Sequence, residues 1–432
     1  MVDKRSYGVC RSAYNIIIDL RLVGSIARRG RRPYEGGCVT TPFLAEAQEL
    51  EEELVAIRRD LHMHPELGFQ EVRTARVVAE KLGALGYEVV TGVGKTGVVG
   101  LLGGGQPGER TVLLRFDMDA LPIQEQNDVP YRSQSPGIMH ACGHDAHVAV
   151  GIGVATLLAR HREQFGGTIK LMFQPAEEGL GGANAMIADG ILKGPAVDVA
   201  LGLHVSSNHE LGTAVVRSGA MMAAADKLRI LVHGKGGHAA HPEQTIDAVL
   251  VASHIVVALQ TIVARNLDPE ETGVITVGSI HAGNAGNVIA DTAELHGSIR
   301  SFSEATRELL HRRIGEVAGG IAQALGATAE TTVTRGVDIT VNAAEPTALV
   351  YDIAAAVLGK DNIDTTYRTT GGEDFSAVLA RVPGQFFFLG ARNEARGITA
   401  PHHNPHFDID ESCLPQGVAI LCEAAVQTLA KA

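Results

Sequence analysis

Apolar and polar positions along the chain change period several times, and each change marks an element. Residues 45–66, AEAQELEEELVAIRRDLHMHPE, set Leu50, Leu54, Ile57 and Leu61 three or four apart. That spacing predicts an amphipathic helix stopping near Pro65. A second helix is expected over 71–85, followed by the short strands YEVV and TGVVGLLG. Four apolar runs then lead into chemistry-bearing residues. TVLLRF (111–116) meets Asp117, Met118 and Asp119; GTIKLMF (167–173) meets QPAEEG; VDVALGL (197–203) meets His204; GQFFFLGA (384–391) leads through a loop to PHHNPHFD. Near-continuous apolar strands are covered on both faces, as in a mostly parallel α/β sheet, and such sheets bind ligands beyond their strands' carboxyl ends.

The segment 220–335 follows a different rule. DKLRILVHG and TGVITVGSI alternate apolar and polar residues, as a half-exposed sheet does, and helical stretches over 245–259 and 304–325 can cover its other face. The expected organisation is a sheet domain in two pieces, 45–219 and 336–432, with an α+β domain, 220–335, inserted between them. Residues 1–44 stand apart. Arg-rich and acid-poor, with Arg28, Arg29, Arg31 and Arg32, they read either as a targeting segment or as a disordered, non-native extension.

Composition narrows the classes. At 432 residues, 45% hydrophobic and 20% charged, the chain can bury a substantial core. A net charge of -12 argues against nucleic-acid or anionic-membrane partners, which need a basic face. No unbroken apolar run reaches the roughly 18–20 residues of a membrane span. Five cysteines, Cys10, Cys38, Cys142, Cys413 and Cys422, form no close framework, which fits a reducing compartment and leads us to expect the cytoplasm.

The chemistry concentrates in MHACGHDAHVAV, where His140, Cys142, His144, Asp145 and His147 crowd together. Cys142 and His144 flank a glycine, so a tight turn can converge them. Thiolate and imidazole are transition-metal ligands, and His204 and His403 can close the shell from other strand ends. The absence of CxxC spacing favours an open catalytic site over a closed structural one. Glu177 and Glu178 fit the same picture: one carboxylate can bind metal while the other serves as a general base. Two other readings of Cys142 stay open, a nucleophile assisted by His144 or His147 and a buried structural cysteine. Isolated histidines such as His161, His254 and His311 read as structural.

Taken in order, RRDLHMHPELGFQE, LLRFDMDALP, MHACGHDAH, FQPAEEG, GLHV, GKGGHAAHP, GNVIADTAELHGSIRSF, GGEDFS and HHNPHFDIDE resemble the M20 metallopeptidase family. The resemblance is to its amidohydrolase branch of hippurate hydrolases, N-acyl-amino-acid amidohydrolases and plant indole-acetyl-amino-acid hydrolases, and runs from about residue 45 to the end. It implies a metallo-exopeptidase-like catalytic domain with an inserted lid that also forms a homodimer. It implies two divalent ions (Zn, Mn, Co or Ni) on Cys142, His144, Glu178, His204 and His403. Glu177 would be the general base and acid, and Asp119 would orient a ligand; Asp117 and Asp145 are weaker candidates for that work. His238 would reach the substrate carbonyl, with His241 ranked second, while Asn287 and Arg300 would hold an α-carboxylate. The implied reaction is hydrolysis of N-acyl-L-amino acids, or of short peptides, by metal-activated water. A metallo-carboxypeptidase or dipeptidase, and a non-enzymatic binding protein, are the alternatives.

Overall fold

The computed structural model describes residues 42–431, so the Arg-rich N-terminal stretch, with Cys10 and Cys38, lies outside the described residues. The helix expected over 45–66 is two helices, α1 (Pro42–Glu49) and α2 (Glu51–Met63), separated at Leu50. α1 starts at Pro42 and buries Phe43 and Leu44. The folded chain therefore begins earlier than residue 45.

Next come α3 (Val72–Ala84), β1 (Glu88–Val93), β2 (Gly97–Gly103), β3 (Gln106–Asp117), α4 (His144–Arg160), β4 (Gly166–Gln174), α5 (Gly182–Ala188) and β5 (Val199–Glu210). The middle of the chain supplies β6 (Ala214–Val215), β7 (Gly219–Met222), β8 (Ala224–His233), β9 (Gly237–His238), α6 (Ala248–Asn266), β10 (Gly273–Ala282), β11 (Val288–Ile289), β12 (Thr292–Ser301), α7 (Glu304–Ala324), β13 (Thr328–Val337) and β14 (Thr340–Asn342). The chain ends with α8 (Ala344–Leu358), β15 (Ile363–Asp364), α9 (Ser376–Leu379), β16 (Gly384–Arg392) and α10 (Leu414–Ala430).

The main sheet has the order β1-β2-β4-β3-β5-β16-β6-β15. Its centre, β4-β3-β5-β16, is parallel throughout, while the β1/β2, β2/β4 and β16/β6 pairs are antiparallel. The strand period of two divides each central strand between two cores. Val112, Leu114 and Phe116 of β3 join Leu54, Leu61 and α10 on one face. Leu113, Met172, Phe386 and Phe388 join Phe375, with α5 and α9, on the other.

α4 is buried along nearly its whole length. A Cβ at Gly151 would come within 2.8 Å of the Phe116 and Phe173 rings, and one at Gly153 within 2.7 Å of Leu54 and Val418. These glycines let the helix approach the sheet on one side and α2 and α10 on the other.

The inserted domain is a separate antiparallel sheet, β10-β12-β8-β13, with its own core. β8 buries Leu228, Ile230 and Val232 and exposes Lys227 and Arg229, the alternation expected of a one-sided sheet. Helices α6 and α7 contribute Ile255, Leu259, Leu310 and Ile314 to that core. Ser303 caps α7 by accepting from Thr306 N at 3.1 Å. Buried Arg307 then ties α7 to β8 through Asp226, at 2.6 and 2.8 Å.

Two helices, Ala248–Asn266 and Glu411–Ala430, are long and apolar enough to cross a membrane by length and composition. Both are interrupted by polar side chains. The second is mostly buried in the main core, whereas α6 exposes Val249, Leu250 and Val257 on its outer face.

Candidate metal centre

The parallel centre of the sheet gathers the candidate residues. Asp117 ends β3, Glu177 and Glu178 follow β4, and His402 and His403 lie in the loop after β16. His204 sits inside β5, not beyond its end as the sequence suggested, because β5 keeps pairing with β16 past Phe388, opposite His204. His144 is the first residue of α4, and Gly143 before it has φ 88°. A Cβ at Gly143 would lie 2.5 Å from Val205 Cγ2, so both backbone and space demand glycine. That turn presents Cys142 and His144 together. Ala176 and His403 also adopt positive φ, 54° and 63°, strained conformations beside the two acids and at a candidate ligand.

Hydrogen bonds fix which ring nitrogens can act as ligands. His204 Nδ1 donates to Val205 O at 2.6 Å, leaving the Nε2 lone pair 3.4 Å from Cys142 Sγ. His144 Nδ1 donates to Asp119 Oδ1 at 3.2 Å, and the other Asp119 oxygen accepts from Glu178 N at 3.0 Å. Among the described residues, His144 Nε2 is buried without a hydrogen-bond partner, 3.5 Å from Asp117 Oδ2. His403 Nε2 lies 3.2 Å from Glu178 Oε1.

Among the described residues three triads of donor atoms meet here, Cys142-His144-His204, Cys142-Glu178-His403 and His144-Glu177-Glu178, each with its atoms within 4.8 Å of one another. Cys142 belongs to the first two. Mixed sulfur, nitrogen and oxygen donors suit Zn, Mn, Co or Ni, and the unpartnered His144 Nε2 is an atom that such an ion would satisfy. Two further groupings are committed elsewhere. In Asp117-His144-His147, His147 Nε2 accepts from Val205 N at 2.9 Å while Nδ1 bonds Asp117, so that ring has no free donor atom. In Glu177-Glu373-Asp374, Arg115 holds Glu373 at 2.7 Å and Asp374 at 3.2 Å.

The buried Arg115 guanidinium also binds Asp117 Oδ2 at 2.6 Å and Gln174 Oε1 at 2.9 Å. Burial alone would raise the Asp117 carboxyl, but Arg115, His144 and His147 together hold it well below the usual carboxylate range. Glu177 goes the other way. Burial and the Glu373, Asp374 and Glu178 carboxylates push it well above its ordinary value, in the direction that suits a group that must both take up and release a proton. Asp374 rises to about 7 through burial, with Glu373 adding to the rise and Arg115 opposing it. The Cys142 thiol is pushed well up by burial and by Glu178. A nucleophilic cysteine and a thiolate ligand both need the opposite shift, which a cation beside the sulfur supplies.

A cavity of about 810 Å³ opens over these residues and extends to the inserted domain. Arg300 of β12 lines it, opposite Ala225 of β8, and is in none of the ion pairs seen among the described residues. Tyr367, His209 and Phe388 form an aromatic wall: His209 stands edge-on to Tyr367 at 4.6 Å and stacks on Phe388 at 6.0 Å, and Phe388 lies 6.1 Å from His204. His238 and Asn287 are not brought to this cavity. Both are exposed, His238 in β9 opposite Val288 of β11 and Asn287 in the loop just before that strand. His241 is exposed as well.

Asp145 separates from Asp117 in role. It is bound by Arg58 at 2.8 Å and His62 at 2.7 Å, behind the start of α4. The sequence reading assigned no role to Arg115, His402, Glu373 or Asp374, and gave His147 one only as a partner of a nucleophilic Cys142. Only two weak signals were available: the doubling of histidine in HHNP, and the acidic pair in GGEDFS just before α9.

Comparison with known proteins places the chain among relatives. A family model described as peptidase family M20/M25/M40 matches residues 113–427. The chain is 45% identical over 376 residues to a putative amidohydrolase, YhaA, of Bacillus subtilis, covering 87% of this chain and 94% of that protein. It is 43% identical over 376 residues to thermostable carboxypeptidase 2 of Saccharolobus solfataricus, covering 86% and 94%. With the IAA-amino acid hydrolase ILR1-like 2 of Arabidopsis thaliana it shares 39% over 389 residues, covering 89% and 87%. Among solved structures, a putative aminohydrolase from methicillin-resistant Staphylococcus aureus superposes with a TM-score of 0.84 at 34% identity, covering 90% of this chain and 99% of that one. The Bacillus subtilis YXEP protein, a dinuclear metal binding peptidase, gives 0.78 at 33%, covering 89% and 100%. By sequence, fold and the grouping of its donors, the chain belongs to peptidase family M20/M25/M40.

Proposed function

We propose that the chain is a metal-dependent amidohydrolase that cleaves N-acyl-L-amino acids to a carboxylic acid and a free amino acid, using two divalent ions. The observation that carries this reading is the sharing of Cys142 between two donor triads, with the Glu177 carboxylate beside them, grouped with His144 and Glu178. Ions held there supply Lewis-acid polarisation of an amide carbonyl and make water more acidic. Glu177 takes the proton from the attacking water and passes it to the leaving nitrogen. Asp119 keeps His144 in the tautomer that presents Nε2. Arg300, in no ion pair among the described residues, offers a bidentate fork to the substrate's α-carboxylate. The wall of Tyr367, His209 and Phe388 suits a planar or apolar acyl group. Similarity to an amidohydrolase and to an IAA-amino acid hydrolase supports this substrate class.

A second reading, a metallo-carboxypeptidase, has specific support. Arg300 accepts a peptide C-terminus equally well, and one relative is named as a carboxypeptidase. The roles expected of His238 and Asn287 need a second copy of the chain or a different position of the inserted domain. We propose a homodimer through that domain, in which each copy serves its neighbour's cavity.

Hydrolysis of hippurate, N-acetyl amino acids, an indole-acetyl conjugate and a dipeptide separates the two readings by which substrates turn over. Activity is expected to vanish on chelation and return with Zn, Mn or Co; Glu177→Ala is expected to lower kcat at least about a hundredfold with metal retained. Activity that survives full metal removal would contradict the mechanism. For Arg300→Ala, KM on carboxylate-bearing substrates should rise about 10- to 150-fold, the worth of a charged hydrogen-bonded contact, while an amide lacking the carboxylate is unaffected. Equal effects on both would remove Arg300 from carboxylate binding. Mixing the inactive variants Glu177→Ala and His238→Ala, after dissociation and reassembly, should restore about a quarter of wild-type activity, since half the dimers pair unlike copies and each of these has one intact site. No restoration would show that His238 does not act across copies.

A further inference from the structure

His402 precedes the candidate ligand His403 and carries no role in the scheme above. Its ring is enclosed, packed on Phe407 with centroids 4.9 Å apart and edge-on to His204 at 5.2 Å. Both nitrogens are engaged. Nε2 lies 3.2 Å from the backbone nitrogen of Ser207, and Nδ1 lies 3.8 Å from Cys142 Sγ. A backbone amide can only donate, so Nε2 must present its lone pair to Ser207. A ring with a lone pair on Nε2 is neutral and carries its proton on Nδ1, the atom facing the sulfur.

We infer that His402 is a positioning residue that donates an Nδ1–H hydrogen bond to Cys142 Sγ and so sets the orientation and donor strength of the sulfur shared by the two triads. The inference rests on the reading of Cys142 as a metal ligand. Hydrogen bonds to a coordinating thiolate draw charge from the sulfur and temper its donation to the metal, and outer partners of this kind tune a metal site as its ligands do. The Ser207 amide thus acts at a distance: through the imidazole it places a proton beside the sulfur. Carbonyl oxygen of Cys142 itself is a competing acceptor for the same proton, and the experiment separates the two.

The probe is Co(II) alone, loaded into the full chain, with the near-ultraviolet thiolate-to-cobalt charge-transfer band as the readout. A hydrogen bond lowers the energy of the sulfur lone pairs, so its loss moves the band to longer wavelength. His402→Leu is expected to show that displacement, and His402→Gln, whose amide keeps an N–H donor, is expected to restore the band towards wild type. A band in His402→Leu unmoved from wild type, or displaced equally in both variants, would overturn the inference and assign the proton to the carbonyl. If wild type shows no thiolate band at all, the ligand reading of Cys142 fails first, and the two failures are thereby distinguished. If His402→Leu does not fold, two-bond ¹⁵N–¹H spectra of histidine-labelled wild type, assigned with His402→Gln, read the tautomer directly: a proton on Nδ1 is expected, and one on Nε2 would overturn the inference.

Discussion

Parallel pairing of β4, β3, β5 and β16 is the constraint on which the site depends. Their parallel pairing sends these strands towards the same edge of the sheet, where Asp117, Glu177 and Glu178 leave it and Cys142 and His144 arrive at the start of α4. That pairing is held by the two apolar layers, since each central strand turns alternate side chains into opposite cores. α4 must lie flat between sheet and helices for His144 to reach the edge, and Gly151 and Gly153 make that close approach sterically possible. The chemistry is therefore positioned by packing some distance from it.

Charge and tautomer are settled by a second layer of contacts. Arg115, fully buried, lets Asp117, Glu373 and Asp374 share one small volume that their mutual repulsion would otherwise forbid. Backbone groups then set the imidazoles: Val205 O accepts from His204, and Val205 N donates to His147. Asp119 does the same for His144 while also binding the Glu178 amide. One strand residue thus fixes two rings, and one carboxylate links a candidate ligand on α4 to one after β4.

The parts of this arrangement legible in the sequence are those with local signatures. Runs such as TVLLRF and GTIKLMF announce buried strands, and the residues following them announce the site. Gly143 between Cys142 and His144 signals a turn that only glycine allows. The rest depends on contacts between residues far apart in the chain. Arg115 interrupts an apolar run and finds Glu373 across 258 positions; nothing nearby marks it as a charge balancer. Asp117 and Asp145 look alike as loop acids beside histidines, yet one meets Arg115 and His147 and the other Arg58 and His62. His238 and Asn287 sit in recognisable motifs, but a motif carries no information on whose cavity it faces. Helix α1 begins at Pro42 because Phe43 and Leu44 pack into the core, a pair whose burial no periodicity over three residues could reveal.

The central claim is that one thiolate serves both triads. Metal content per chain, measured at saturating Zn or Mn for wild type and Cys142→Ala after identical washing, tests it most directly. The account predicts two ions per chain in wild type and weakened retention of both in the variant. Retention of one ion at wild-type affinity in Cys142→Ala would contradict a shared sulfur, and retention of both would remove Cys142 from the metal site.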